Sequence, residues 1–372
     1  MRVAHIYWDL AYGGIQTMLV NIINEQVKLG VEVSLIIVND VIADELLNAI
    51  SPEIKIIRIH RKTGTKNISF AFRIKYALNE INPDIIHCHK SALLNFIPKK
   101  WYKRTCNTVH DLPVGKIGPK CRLLSIYKWQ KSKNENVLCL DRIKSVFAIS
   151  QSVHDQLEAK YHIASTVVYN GIQTTKFRIR QNLSPVGSFN IVQISRLEHV
   201  KKGQDLLIEA FDILWQKRRN VKLTFIGQGK SLEHLKKLAH QQGGDNQIEF
   251  KGAMPQSFIA EHLCDYEIFV QPSRHEGFGL TVAEAMAAKV PVLVSSGQGP
   301  EEVTEGEKYG WTFENGNAED LAKKLLYIIE HYDECLNKAE QAYHHVIDNY
   351  DVSVTAKKYI DAYKTIINNE ED

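Results

Sequence analysis

A cluster of basic residues follows an apolar run in the second half of the chain. Arg196 comes directly after a strand-like run that ends at Ile194, and Lys201, Lys202 and Gly203 lie where a helical pattern begins. Arginine offers a rigid fork of donors and lysine a mobile point charge, so the set is suited to holding a diphosphate. A solvated basic loop before a helix has the same composition. The position at the carboxyl end of a strand favours the binding role.

A second cluster joins a glycine-bearing loop to a helical pattern. Gly277 and Gly279 permit close approach of a ligand to the backbone, and amides at a helix start attract anions. Glu276 and Glu284, eight residues apart, supply carboxylates that accept hydrogen bonds from sugar or ribose hydroxyls. The alternative for Glu284 is structural, because Thr281 and Glu284 fit the T-x-x-E capping box of a helix start.

Three further features follow strand-like runs in the first half of the chain. Gly13 and Gly14 stand between a strand and a helix, where they either bind an anion or make a tight turn at positive φ. His87 and His89 share one face of a strand end, but a metal site needs additional ligands that the sequence does not indicate. His110 follows another strand, either as a polar strand end or as a residue near the reacting centre.

Basic and aromatic residues are concentrated between Lys99 and Lys133. The segment holds ten basic residues against the single acidic residue Asp111, in a chain of net charge +3. The basic residues are Lys99, Lys100, Lys103, Arg104, Lys116, Lys120, Arg122, Lys128, Lys131 and Lys133. The aromatic residues among them are Trp101, Tyr102, Tyr127 and Trp129. This composition is typical of contact with an anionic membrane surface or a phosphorylated lipid, and equally of a solvated basic face.

Short, β-branched apolar runs alternate with helical patterns along the whole chain. Strand-like runs fall at residues 3–7, 33–38, 54–59, 84–87, 105–109, 146–149, 190–194, 222–226, 248–250, 268–270, 292–294 and 311–313. Helical patterns cover residues 15–29, 203–215, 231–241, 321–332 and 352–367. The alternation predicts an α/β protein with doubly wound parallel sheets. A linker-like stretch at residues 181–188 divides it into an N-terminal domain, residues 1–182, and a C-terminal domain, residues 183–350.

The composition excludes several classes of protein. The chain has 372 residues, with 46 Lys and Arg against 43 Asp and Glu, 44% hydrophobic and 24% charged residues. These values exclude a disordered chain, a collagen-like fibre and a cysteine-rich secreted scaffold, and they do not favour nucleic acid as a partner. The six cysteines form no CxxC pair, and the N-terminus lacks a signal-peptide pattern, so we expect a cytoplasmic location.

Taken together, these motifs resemble the retaining GT-B glycosyltransferases, specifically family 4 of the nucleotide-sugar-dependent enzymes. The resemblance is carried by the Asn170-Gly171-Ile172 motif, the SRL…KKG run at residues 195–203, the IGQG turn at residues 226–229 and the Glu276/Glu284 pair. The Gly13-Gly14 loop, the DIIHCH strand and the TVHD strand end also fit, so nearly the whole chain is covered. The resemblance implies two Rossmann-like domains facing across a cleft, with residues 351–372 packed back on the N-terminal domain.

The resemblance also implies roles for the charged residues. Arg196 and Lys202 would hold the diphosphate of the donor and stabilise its charge as it leaves, in place of a metal ion. Lys201 is the alternative to Lys202 for this contact. Glu284 would accept hydrogen bonds from the ribose hydroxyls, and Glu276 would engage the sugar hydroxyls.

The remaining donor contacts are implied for short backbone segments and one histidine. His110 would lie at the sugar face, near the acceptor. Contacts with the donor would come from Gly14, Gly277, Phe278, Gly279 and Leu280.

The implied activity is transfer of a hexosyl or N-acetylhexosaminyl group from a UDP-sugar or GDP-sugar, with retention of configuration and without cofactor or metal. The acceptor would be a glycan or a lipid-linked molecule in surface polysaccharide or glycoconjugate synthesis. A lipid-linked acceptor together with the basic segment leads us to expect that the protein makes peripheral contact with the anionic inner leaflet of the cell membrane. A nucleotide-sugar epimerase and a non-catalytic carbohydrate-binding protein are the alternatives on the same fold.

Overall fold

The structure is a computed structural model that describes residues 1–65, 68–110, 139–181 and 187–371 of the chain. These residues form two compact units, one made of residues 1–171 and 352–372 and the other of residues 172–351. Each unit is built on one parallel sheet whose strands are connected through helices. The predicted α/β class with two parallel-sheet domains is confirmed.

The first unit contains a seven-stranded parallel sheet in the order β3-β2-β1-β4-β5-β6-β7. Its strands are β1 (Arg2–Tyr7), β2 (Glu32–Asn39), β3 (Lys55–Arg61), β4 (Ile85–Cys88), β5 (Thr105–Val109), β6 (Ser145–Ala148) and β7 (Thr166–Val167). The central strands are buried on both faces, which explains their continuous apolar sequence. The chain reverses its direction across the sheet between β1 and β4, the position where open α/β sheets bind ligands.

The second unit contains a six-stranded parallel sheet in the order β10-β9-β8-β11-β12-β13. Its strands are β8 (Phe189–Ile194), β9 (Val221–Ile226), β10 (Ile248–Gly252), β11 (Ile268–Gln271), β12 (Val292–Ser295) and β13 (Trp311–Phe313). The reversal here lies between the paired strands β8 and β11. A ligand site is therefore expected where the loops after these two strands begin.

Helices connect the strands in both units. The first unit contains α1 (Gly14–Lys28), α2 (Asp44–Asn48), α3 (Phe70–Ile81) and α4 (Gln151–Tyr161). The second unit contains α5 (His199–Lys202), α6 (Gln204–Lys217), α7 (Leu232–His240), α8 (Gln256–His262), α9 (Leu280–Ala287), α10 (Gly299–Val303), α11 (Ala318–Glu330) and α12 (Tyr332–Tyr350). The final helix is α13 (Val352–Glu371). None of the helices in the described part of the chain is long and apolar enough to cross a membrane.

The first unit ends at Gly171, earlier than the boundary at residue 182 that composition predicted. The reason is that the intervening segment is hydrogen-bonded to the second sheet and its helices. The Arg180 side chain pairs with Glu267 at 2.9 Å, and both side chains are only 8% exposed. The backbone N–H groups of Arg178 and Arg180 donate to the carbonyls of Ala260 and Ala288. The composition of a linker-like stretch does not indicate that one of its residues forms a buried ion pair.

Helix α13 belongs to the first unit, although it follows the whole second unit in the chain. Gln26 Nε2 in α1 donates to the Tyr363 hydroxyl at 3.4 Å, and the Thr355 hydroxyl donates to the Tyr169 carbonyl at 3.0 Å. Tyr359 and Tyr363 are fully buried. The chain thus returns to complete the core of its first unit.

Candidate functional site

The loops after β8 and β11 hold the charged residues that the sequence singled out in the second unit. Since these two strands are hydrogen-bonded neighbours, both loops begin at the same edge of the sheet. Arg196 follows β8 with an exposed side chain. Beside it, the Ser195 hydroxyl accepts hydrogen bonds from Gln193 Nε2 and Gln204 Nε2, each at 2.9 Å.

Lys202 and Glu276 come from different sequence clusters, and the structure brings them together as an ion pair. The Lys202 ammonium contacts Glu276 Oε2, and the two side chains are 22% and 19% exposed. Gln271 Nε2 donates to the same carboxylate oxygen at 3.3 Å, and the Glu276 backbone N–H donates to Gln298 Oε1 at 3.1 Å. Glu276, held by Gln271 at its carboxylate and by Gln298 at its backbone, therefore fixes the position of the ammonium.

Lys201 contributes to the same loop through its backbone, whereas Lys202 contributes through its side chain. Its backbone carbonyl accepts hydrogen bonds from the N–H groups of Arg274 and His275, at 2.8 and 3.1 Å. The Arg274 guanidinium binds both carboxylate oxygens of Asp205, at 2.7 and 3.0 Å. These contacts tie the loop after β11 to the start of α6. The pair of Arg274 and Asp205 was not predicted, because nothing in the spacing of the two residues indicates that they meet.

Gly203 makes the close approach of these two loops possible. It has φ 66°, and a Cβ atom at this position would lie 1.8 Å from the Pro272 carbonyl oxygen. Gly227, in the IGQG turn, has φ 142°, and its Cβ atom would lie 1.9 Å from the Ser195 carbonyl oxygen. No side chain fits at either position. Both glycines therefore shape the loops that carry Arg196 and Lys202.

Helix α9 begins one residue after Gly279, and this start contradicts the capping-box interpretation of Glu284. The residue at the N-cap is Gly279, with φ 104°, so Thr281 already lies inside the helix. The Glu284 carboxylate instead accepts a hydrogen bond from Gln256 Nε2 at 2.9 Å. Desolvation raises the pKa of Glu284 to about 7, against the lowering effect of the Gln256 hydrogen bond. Glu284 is thus a poorly solvated carboxyl group whose single described partner is a neutral amide.

The backbone between Glu276 and α9 is held against a neighbouring helix. A Cβ atom on Gly299 would lie 2.4 Å from the Gly277 carbonyl oxygen, so α10 starts directly on this loop. Phe278 is 2% exposed and packs edge-on against Tyr350. Its side chain is part of the core, so only its backbone is open to the ligand contact that the resemblance implies.

The raised pKa of Glu284 leads to a prediction about stability and pH. Between its ordinary value of 4.5 and about 7, the folded protein binds a proton that the unfolded chain does not bind. The free energy of unfolding of the wild type therefore falls as the pH rises through this window. Glu284→Gln removes the titration, so the Tm of the variant relative to wild type should be higher at pH 8 than at pH 5.

Thermal melts of both proteins at the two pH values check this expectation. Glu209→Gln, at an exposed position on α6, is the control and should show the same small Tm difference at both. If Glu284→Gln behaves like the control, the carboxylate is well solvated and the prediction is wrong.

In the first unit, Gly13 and Gly14 mark the start of α1 after β1. Gly13 is the N-cap with φ 175°, an extended conformation open to any residue, and α1 begins at Gly14. The alternative of a tight turn at positive φ is therefore wrong for this pair. The Gln16 side chain, which donates to Asp9 Oδ1 at 3.0 Å, lies next to Gly13.

Four histidines of the first unit lie close together: His5 and His87 within the paired strands β1 and β4, and His89 and His110 directly after β4 and β5. His5, His87 and His89 have ring nitrogens within 4.8 Å of one another and are fully buried. His89 Nδ1 lies 3.5 Å from His110 Nε2, and His110 is 5% exposed. Burial lowers the pKa of His110 to about 3, so the imidazole is neutral at physiological pH. His5 was not predicted as a member of this cluster, because inside a buried strand it reads as an isolated polar residue.

Most of the basic segment lies outside the described residues, including Asp111 and every basic residue from Lys116 to Lys133. At its described beginning, the side chains of Lys99, Lys100 and Lys103 are exposed.

Two family models match the chain in succession. "Glycosyltransferase Family 4" matches residues 12–176, and "Glycosyl transferases group 1" matches residues 175–345. The boundary between the matches falls close to the boundary between the two structural units.

Individual proteins agree with these matches. An uncharacterized glycosyltransferase of Methanocaldococcus jannaschii is 25% identical over 306 residues, which span 76% of this chain and 75% of that protein. The poly(ribitol-phosphate) α-N-acetylglucosaminyltransferase of Staphylococcus aureus is 27% identical over 46% of this chain, but the alignment spans only 34% of that protein. Among solved structures, Anabaena HepE in complex with UDP and glucose superposes with a TM-score of 0.79 at 18% identity, covering 98% of this chain and 99% of that one.

The two parallel-sheet units and the superposition on solved glycosyltransferase structures define a GT-B fold. With the two successive family matches, the chain is identified as a GT-B glycosyltransferase of the family 4 type.

Proposed function

We propose that the protein transfers a hexosyl or N-acetylhexosaminyl group from a UDP-sugar or GDP-sugar, with retention of configuration. The acceptor is a glycan or a lipid-linked molecule in surface polysaccharide or glycoconjugate synthesis, and the enzyme works in the cytoplasm. The observation that carries this proposal is the cationic site of the second unit, where the Lys202–Glu276 pair and Arg196 follow neighbouring strands. The names of the relatives support it, since one of them transfers N-acetylglucosamine to a ribitol-phosphate polymer.

In the proposed mechanism, the bond between the anomeric carbon and the donor phosphate oxygen breaks as the acceptor oxygen forms a bond on the same face. A phosphate oxygen of the departing diphosphate takes the proton of the acceptor hydroxyl. Negative charge grows on the diphosphate during this step, so fixed cations stabilise the transition state more than the bound donor. We assign that role to Arg196 and Lys202.

The other residues are assigned to recognition of the donor. Glu276, oriented by Lys202 and Gln271, accepts hydrogen bonds from sugar hydroxyls. The backbone N–H groups of residues 277–280 donate to sugar oxygens and to the distal phosphate. Glu284 accepts from the ribose hydroxyls, and donor binding favours its ionised form because charged acceptors make the stronger hydrogen bonds. Gly14 and His110 are the proposed contacts from the first unit.

The experiment that tests the function is a transfer assay preceded by a ligand screen. Thermal melts with UDP, GDP and a panel of their sugars identify the donor, because a ligand that binds the folded state raises the apparent stability. The identified donor is then incubated with extracted glycans and glycolipids. Incubation with donor alone separates the epimerase alternative, which would change the sugar without an acceptor. Absence of transfer with a donor that binds would contradict the proposal.

We predict that transfer needs no divalent metal. Arg196 and Lys202 supply positive charge for the diphosphate, and the one group of three possible metal ligands found among the described residues is the buried His5–His87–His89 set. Excess chelator should leave the initial rate unchanged, measured with a nickel-free, tag-cleaved preparation. Loss of activity that Mg²⁺ or Mn²⁺ restores would contradict the prediction.

We also propose that the first unit attaches to an anionic membrane, with the basic segment as part of the contact. The part of the basic segment that the structure describes lies next to α3, where Lys100 Nζ donates to Asn79 Oδ1 at 2.8 Å. One turn apart on the outer face of α3 stand Phe72 and Tyr76, which are 74% and 67% exposed. Arg73 and Lys75 are exposed beside them. Aromatic side chains with flanking cations are suited to an interface with anionic lipids.

Vesicle sedimentation tests this attachment. We expect salt-sensitive binding to vesicles with anionic lipid and little binding to neutral ones, because each basic residue near such a surface contributes about 1 kcal/mol. The double variant Phe72→Ser/Tyr76→Ser should release the protein, as should reversal of Lys120, Arg122, Lys128 and Lys131 to Glu. Tyr327→Ser, at an exposed tyrosine of α11, is the matched control. Equal binding to both vesicle types, or no binding at low salt, would contradict the attachment. The basic segment would then be interpreted as a solvated face.

A further inference from the structure

A chain of hydrogen bonds runs through the buried histidines of the first unit and ends at His110. Gln26 Oε1, in α1, lies 2.8 Å from His5 Nε2. His5 Nδ1 lies 3.0 Å from His89 Nε2, and His89 Nδ1 lies 3.5 Å from His110 Nε2. The last nitrogen of the chain, His110 Nδ1, is buried and has no hydrogen-bond partner among the described residues.

Each imidazole in the chain carries a single ring proton. Burial lowers the pKa of His5 to about 4 and that of His110 to about 3, and it also lowers the pKa of His89 well below its ordinary value. Neighbouring imidazoles and Lys90 act in the same direction. In a neutral ring one nitrogen donates and the other accepts, so the direction of one hydrogen bond sets the direction of the next.

The Gln26 amide sets the direction of the first bond. Its Nε2 group donates to the Tyr363 hydroxyl at 3.4 Å, which turns Oε1 towards His5. An amide oxygen only accepts, so His5 Nε2 carries the proton and His5 Nδ1 is an acceptor. The bond to His5 then comes from His89 Nε2–H, and the bond to His89 Nδ1 comes from His110 Nε2–H. His110 Nδ1 is left with a free lone pair.

A second branch of hydrogen bonds gives both ring nitrogens of His87 a partner, so their burial needs no metal ion. Its Nδ1 lies 2.6 Å from the Tyr363 hydroxyl and its Nε2 lies 2.7 Å from the Thr108 hydroxyl. The Thr108 hydroxyl in turn lies 3.0 Å from that of Tyr359. The Tyr363 hydroxyl, which accepts from Gln26, donates to His87 Nδ1. Every ring nitrogen of His5, His87 and His89 therefore has a hydrogen-bond partner, an arrangement that favours an ordered proton network over metal coordination.

We propose that Gln26, His5 and His89 are positioning residues that fix His110 as its Nε2–H tautomer, so that His110 Nδ1 accepts a hydrogen bond from a hydroxyl group of the ligand. A lone pair at this position selects a hydroxyl and rejects a phosphate oxygen, which has no proton to give at neutral pH. That the hydroxyl belongs to the transferred sugar rests on the proposed function. The tautomer itself does not, because it follows from the contacts of the first unit alone.

Nitrogen-15 NMR of the full-length, histidine-labelled protein measures the tautomer directly. Two-bond proton–nitrogen correlations distinguish a protonated from an unprotonated ring nitrogen, and comparison with His110→Asn assigns the His110 signals. We expect an unprotonated Nδ1 and a protonated Nε2 in the wild type. The reverse assignment in the wild type would overturn the proposal.

Variants test whether the chain controls the tautomer. Gln26→Met removes the amide at similar volume and should give a mixture of both His110 tautomers. Tyr363→Phe, a smaller change that releases the Gln26 amide, should do the same if Gln26→Met does not fold. Thr108→Val disturbs the His87 branch alone and should leave His110 unchanged. A single, unchanged tautomer in a folded Gln26→Met or Tyr363→Phe protein would overturn the proposal.

Binding data then connect the tautomer with recognition. In Gln26→Met the KM for the sugar donor should rise in inverse proportion to the fraction of the Nε2–H tautomer that NMR measures, about twofold for an equal mixture, while the Kd for the nucleoside diphosphate stays the same. An unchanged KM, with the tautomers mixed, would overturn the hydroxyl contact. If the protein transfers no sugar at all, the proposed function fails, but the NMR result is still decisive for the tautomer.

Discussion

Replacing Arg196 by alanine is expected to lower the rate of transfer at saturating donor by about 100- to 1,000-fold. The guanidinium is exposed at the carboxyl end of β8, so it is available to an anion entering from solvent. Its contact with the diphosphate strengthens as negative charge develops on the leaving group, and kcat is therefore affected more than KM. Steady-state kinetics with the identified donor measure both parameters.

Two further substitutions make this test specific. Arg196→Lys keeps the charge but loses the fork of donors, so its rate should lie between those of the wild type and the alanine variant. Arg218→Ala removes an arginine whose exposed pair with Glu330 lies at the end of α6, and it should leave kcat unchanged. Full activity of Arg196→Ala would refute the role assigned to this residue.

The second large loss of kcat is expected for a variant of Lys202, and comparison with Lys201 shows which of the two lysines binds the diphosphate. Lys202→Met keeps most of the aliphatic stem and removes the ammonium, and we expect kcat to fall by about 100-fold. Lys201→Met should change kcat far less, because the contribution of Lys201 to the loop is its backbone carbonyl. Equal losses in the two variants would mean that both lysines bind the diphosphate.

A double-mutant cycle decides what Lys202 does in the pair with Glu276. If the ammonium only holds the carboxylate in place, Lys202→Met should cost nothing further in a Glu276→Gln background. If it also contacts the diphosphate, as we propose, most of the loss in kcat should persist there. Melting curves of the four proteins exclude general destabilisation as the cause. The pair is about one-fifth exposed, so water compensates part of its loss in the free protein.

The sequence was most informative where buried strands alternate with loops. Twelve of the strands fall on the short apolar runs, because a strand covered on both faces of a sheet needs continuous apolar residues. The strand that was missed, β7, has only two residues at the edge of the sheet and carries no such pattern. Five helical patterns correspond to α1, α6, α7, α11 and α13, whereas the 19-residue helix α12 was not predicted. Most of its buried positions carry Tyr, Cys, Ala or His instead of Leu, Ile or Val, so they do not stand out in the sequence as an apolar stripe.

The positions of the candidate residues could also be predicted from the sequence, because residues that follow the buried strands of an open α/β sheet lie at its ligand-binding edge. Arg196, Glu276 and His110 all follow predicted strands, and each lies at the strand end that was expected. The family to which the chain is similar was likewise predicted from the order of its motifs, and the comparisons confirm it.

The tertiary structure alone decided which of these residues meet. The choice of Lys202 rather than Lys201 as the partner of Glu276 depends on the turn at Gly203, and the departure of Glu284 from a capping role depends on where α9 begins. His5, Gln26 and Tyr363 are far apart in sequence and form one network because α13 returns to the first unit. Sequence pattern records the environment of each residue along its own strand or helix. Side-chain contacts between elements depend on how the sheets and helices pack, and that information is not local.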